Sequence, residues 1–110
     1  SARALDLRDR GAEVVGIDSG ADGRLDPDAL LRWTGSQGIA SIFLESGPRL
    51  LNAFIASGRV DELHMHVAPH LAPDGQRWFE GSMPADFDVM SARIVGGDVH
   101  VHYRTKDARR

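Results

Sequence analysis

Residues 42–75 read IFLESGPRLLNAFIASGRVDELHMHVAPHLAPDG, and the alternation of apolar runs with turn-forming residues in this stretch decides the fold. With the three residues before it, the opening forms an almost continuously apolar run, 39–44 (IASIFL), the pattern of a parallel strand covered on both faces. Ser46-Gly47-Pro48 then breaks the strand. Pro48 suits the first turn of a helix because no N–H is needed there. Across 48–57, Leu50, Leu51, Phe54 and Ile55 fall on one stripe, and Gly58 stops the helix. The segment 62–68 (ELHMHVA) alternates, with Leu63, Met65 and Val67 on one face and His64 and His66 on the other.

Working outward, residues 2–10 (ARALDLRDR) predict a helix with Gly11 as its cap, and 13–17 (EVVGI) a short strand. The loop 18–25 is rich in Gly and Asp. Asp26-Pro27 marks a helix start, a capping carboxylate followed by proline, and this helix carries Leu30, Leu31 and Trp33 before stopping around 35–38. Strand 13–17, this helix and strand 39–44 make a βαβ unit. Downstream lies a loop of about eighteen residues, 69–86, with Pro69, Pro73 and Pro84. Segments 87–95 and 99–104 flank Gly96-Gly97-Asp98, a hairpin signal, and KDARR at 106–110 reads as a frayed tail. The predicted fold class is α/β, a mostly parallel sheet with flanking helices and a C-terminal antiparallel hairpin.

Composition narrows the function. The 110 residues are 42% hydrophobic and 26% charged with a net charge of -3, which describes a soluble domain without the broad basic face of a nucleic-acid binder. The stretch has no Cys, so thiolate metal sites and cysteine nucleophiles are absent from it. No apolar run approaches the roughly 20 residues of a membrane span, and the default reading is cytoplasmic. The start Ser-Ala-Arg, without Met and already helical, is read as continuing from something upstream.

Ligands of open α/β sheets sit beyond the carboxyl ends of the strands, which points to Glu45-Ser46-Gly47-Pro48-Arg49. A helix N-terminus offers free N–H groups and the positive end of the dipole to a phosphate. Gly47 would let a pyrophosphate approach the backbone, Ser46 would cap, Glu45 would face the same crevice, and Arg49 is the arginine best placed for phosphate. From spacing alone a second reading stands beside this one: a well-capped helix start, with Glu45 and Arg49 merely solvated.

The joined motif resembles the reductase domain of bacterial riboflavin biosynthesis, the C-terminal half of the bifunctional deaminase/reductase. Its pattern of apolar strand, Glu-small-Gly-Pro, apolar helix, Gly, Val-Asp-Glu-Leu, apolar strand and Ala-Pro appears as Glu45-Ser46-Gly47-Pro48, Gly58, Val60-Asp61-Glu62-Leu63 and Ala68-Pro69. The resemblance covers most of residues 4–75. It implies a dihydrofolate-reductase-like fold and NADPH-dependent reduction of 5-amino-6-(5-phosphoribosylamino)uracil to the ribitylamino product. By motif position, Glu45 is implied to contact substrate. Gly47, Pro48, Arg49, Leu50, Leu51, Asn52 and Ala53 are implied to hold the cofactor, mainly through the backbone donors of Gly47, Arg49 and Leu50. Ser46 stands where the family has a smaller residue, which bears on cofactor affinity. The family domain is about twice this length. Residues 1–110 are therefore expected to be its C-terminal portion, with the N-terminal half absent, pairing as a homodimer and inactive alone. The rival readings are a dihydrofolate-reductase-like reductase of another small substrate and a non-catalytic nucleotide-binding or dimerisation module.

Four histidines stand apart from this motif. His64 and His66 share one strand face, and His100 and His102 share another. Were the two strands neighbours, the four imidazoles would cluster, yet no acidic partner is evident in sequence. The expectation is a half-exposed sheet face or subunit contact, with no metal site assigned. His70, Arg24 and Arg77 lie in loops without a defined role, and Trp33, Phe43, Phe54, Trp78 and Phe79 read as core or loop anchors. Asp61 and Glu62 are adjacent on a strand and so point to opposite faces, which does not support a two-carboxylate hydrolase.

Overall fold

Asp26 and Pro27 start a helix by the means their chemistry allows. In the computed structural model, which describes residues 1–79 and 86–106, the Asp26 carboxylate accepts a hydrogen bond from the Asp28 N–H at 2.9 Å, and Pro27 opens α2 (Pro27–Ser36). The chain divides into two compact units, Ser1–Ser41 and Ile42–Arg110.

In the first unit, α1 (Ala2–Asp9) is capped by Ser1, whose hydroxyl accepts from the Ala4 N–H, and it buries no residue. Helix α2 buries Ala29 and Thr34; the Thr34 hydroxyl donates to the Leu31 carbonyl at 3.0 Å. Gly38, at φ +76°, turns the chain out of the helix.

In the second unit, α3 (Pro48–Ala56) buries Phe54 and Ile55 and is followed by β1 (Glu62–Val67), β2 (Phe87–Val95) and β3 (Asp98–Thr105). The sheet order is β1-β3-β2, and both pairings are antiparallel. Gly96 and Gly97, at φ +57° and +92°, form the two-residue turn that joins β2 to β3. A bulge at Met90 shifts the register, so that Val89 faces Tyr103 while Ser91 faces His102. Phe87 meets Tyr103 edge-on at 6.3 Å.

The mostly parallel sheet expected from the sequence is therefore corrected to a three-stranded antiparallel one. The predicted strands 13–17 and 39–44 form no ladder among the described residues; an isolated bridge, Ser19 to Leu25, is all that pairs nearby. A strand exists only through a hydrogen-bonded neighbour, and these apolar runs have none here. Phe43 stands 80% exposed as a result. The segment expected as a strand over 62–68 is one over Glu62–Val67, but its partner is the hairpin strand β3. Pro84 and residues 107–110 of the predicted tail lie outside the described residues. Among the described residues, no helix is long and apolar enough to cross a membrane.

Candidate functional site

Helix α3 opens without a side-chain cap. Gly47 occupies the capping position with φ -68° and ψ 169°, and the first intrahelical bond runs from the Leu51 N–H to the Gly47 carbonyl at 3.2 Å. The Ser46 hydroxyl donates to the Gly47 carbonyl at 3.2 Å instead of accepting from the helix, so the cap expected of it is not made. Pro48 has no N–H to offer. Among the described residues, the N–H groups of Gly47, Arg49 and Leu50 take part in no hydrogen bond. The expected backbone donors thus stand together at the positive end of a helix dipole.

A Cβ built on Gly47 would meet nothing within 4 Å, and its φ is open to any residue. Neither packing nor backbone strain in this chain requires glycine there. The space in front of it is free for a ligand to approach the backbone. Glu45 is exposed just before this corner, and Arg49 is exposed on the first turn. Leu50, Leu51 and Ala53 are half-buried within α3. Asn52 braces the fold: its amide donates to the Pro48 carbonyl at 2.6 Å and to the Trp78 carbonyl at 2.9 Å, tying the 69–79 loop to the helix. Its side chain is thereby committed to packing at a position that the family resemblance reads as cofactor-binding.

A cleft of about 640 Å³ opens elsewhere, lined by Asp61, Glu62, Asp88, Arg104 and Lys106 among others, and no residue of the 45–53 corner lines it. Its charges are partly neutralised in place. Arg104 Nη2 donates to Glu62 Oε1 at 3.1 Å, and Lys106 stands 3.9 Å from Asp88. The Arg104 bond holds the Glu62 carboxyl below the usual carboxylate range, against the opposing effect of lost hydration, with His64 and His102 adding to the lowering.

Next to this cleft the four histidines do come together. His64 faces His102 and His66 faces His100 across the β1–β3 ladder, with ring centroids 4.3 Å and 4.6 Å apart and nearly parallel. Loss of hydration, reinforced by His66, His64, Arg93 and His102, pushes His100 below the ordinary imidazole value. The sequence reading missed Glu62 as the acidic partner of this cluster. Its spacing two residues before His64 was the available signal, but the pairing of β1 with β3 was not readable.

Among the described residues, helices α1 to α3 and the three-stranded antiparallel sheet give an α/β chain whose third helix starts at Pro48 without a side-chain cap. The chain belongs to the family of the RibD C-terminal domain, whose model matches residues 2–101. It is 35% identical over 88 residues to the riboflavin biosynthesis protein RibD of Escherichia coli (strain K12), an alignment covering 73% of this chain and 24% of that protein. Two forms of RibD from Acinetobacter baumannii share the fold with a TM-score of 0.76 each. Their identities are 21% and 20%, and the matches cover 93% and 94% of this chain but 29% of theirs. The chain thus spans between 24% and 29% of the length of these relatives.

Proposed function

We propose that the chain is the C-terminal portion of a cytoplasmic riboflavin-biosynthesis reductase domain. Its parent reduces 5-amino-6-(5-phosphoribosylamino)uracil to the ribitylamino product with NADPH. The observation that carries this reading is the open corner at 45–50, in a chain belonging to the RibD C-terminal domain family. NADPH, when bound, supplies the hydride for C1′ of the ribosyl group. The chain's own share is to bind and orient. The Gly47, Arg49 and Leu50 N–H groups would receive phosphate oxygens, Arg49 would add its charge, and Glu45 would meet the phosphorylated substrate. The segment Pro48 to Ala53, through Leu51 and Asn52, would keep those donors in line as a rigid helical turn. A second copy of the chain is the proposed partner, supported by the exposed apolar run at 39–44.

The test is a titration of the chain with NADPH, followed by backbone amide NMR, with NADH as the control. Shifts concentrated at Gly47, Arg49 and Leu50 are expected. Shifts confined to other residues, or none at millimolar NADPH, would remove the corner from the cofactor site.

A further inference from the structure

We propose that Glu62, His64 and His102 form a binding site for a zinc-class divalent metal ion on the polar face of the sheet. The site is separate from the 45–53 corner and does not rest on the reductase reading. Glu62 and His64 are two residues apart on β1 and so share a face, while the ladder sets His102 directly opposite His64. One donor atom from each of the three lies within 4.8 Å of the others. Glu62 Oε2 is 3.5 Å from His64 Nε2 and 3.3 Å from His102 Nε2. Ligands about 2.1 Å from a tetrahedral zinc stand about 3.4 Å from one another. Two of the three edges already have that length; the His64 and His102 rings stack nearly parallel at 4.3 Å, so one ring must turn out of the stack to bring its Nε2 onto a shared ion.

The surrounding contacts orient the donors outward from their supports. Arg104 occupies Glu62 Oε1, leaving Oε2 toward the imidazoles. His64 Nδ1 lies 3.1 Å from His100 Nε2. With the proton on Nδ1 and His100 accepting, His64 keeps its Nε2 lone pair free. This is the arrangement in which a second-layer group fixes the tautomer of a metal-ligating histidine. His102 Nε2 is buried and makes no hydrogen bond among the described residues, although Glu62 Oε2 is within ion-pair distance. With both imidazoles neutral and their Nε2 protons displaced, three lone pairs face one another, and a cation takes the place of the protons that otherwise face Glu62 Oε2. Two imidazoles and one carboxylate are the donor set that zinc accepts, with water completing four-coordination. Glu62 and His64 keep 44% and 39% of their side-chain surface exposed, so the ion has a path from solvent.

The experiment uses the whole chain, without a polyhistidine tag, near neutral pH. Zinc is followed through the imidazole nitrogen resonances, and cobalt(II) through its visible absorption. One equivalent of zinc is expected to shift His64 and His102 while leaving His70 in place, and cobalt(II) to saturate at one equivalent with the bands of a four-coordinate site. Each of Glu62→Gln, His64→Gln and His102→Gln is expected to weaken binding by about tenfold or more. His100→Gln, a positioning change, is expected to weaken binding by about tenfold, with the visible bands shifted. His70→Gln serves as the control and leaves binding unchanged. Absence of saturable uptake in the unsubstituted chain overturns the proposal. So does uptake indifferent to His102→Gln in a variant with an unchanged circular dichroism spectrum.

Discussion

Gly47 and Ile55 show how differently single residues of one helix carry their weight. Gly47 has an ordinary φ and open space where a side chain would be. Gly47→Ser is therefore expected to leave stability within about 0.5 kcal/mol, since serine is at least as good a cap. On the proposed reading, the new Cβ would stand in the cofactor's path, and the same change should weaken NADPH by about tenfold. Urea unfolding and the NMR titration read the two effects separately, and unchanged affinity would show that the glycine serves no ligand. Ile55 is 1% exposed, whereas Phe43 is 80% exposed. Ile55→Ala should cost about 2–5 kcal/mol and Phe43→Ala less than about 0.5 kcal/mol. Equal losses in urea would mean that Phe43 is covered in solution.

Among the elements, the two proline-led helices begin differently. The α2 start is closed by the Asp26 carboxylate, and the α3 start is left open because Ser46 turns its hydroxyl to the Gly47 carbonyl. Asp26→Ala is expected to lose about 1 kcal/mol, seen as faster amide exchange in the first turn of α2. Ser46→Ala should leave α3 within about 0.5 kcal/mol. A loss at Ser46 equal to that at Asp26 would mean that the serine caps α3 after all. The helix boundaries were legible in sequence because caps, prolines and terminal glycines act within a few residues. The hairpin was legible for the same reason, through Gly96-Gly97.

Across the molecule, the apolar run at 39–44 is the feature without a settled neighbour. It has the composition of a buried strand, yet no described segment pairs with it. If a second copy covers it, Phe43→Ser should lower self-association, measured by sedimentation velocity over a range of concentrations. An unchanged distribution would place the contact elsewhere.

Local chemistry along the chain was enough to specify the three helices, the hairpin turn and the motif at Glu45-Ser46-Gly47-Pro48, since each depends on residue types a few positions apart. It also located the helix N-terminus whose donors the structure finds unpaired. The antiparallel pairing of Glu62–Val67 with Asp98–Thr105 came only with the folded chain, as did the lack of a ladder at 13–17 and 39–44 among the described residues. The Glu62, His64 and His102 cluster followed from that same pairing. Strand pairing joins residues about forty positions apart, and a hydrogen-bond ladder leaves no trace in the composition of either strand alone.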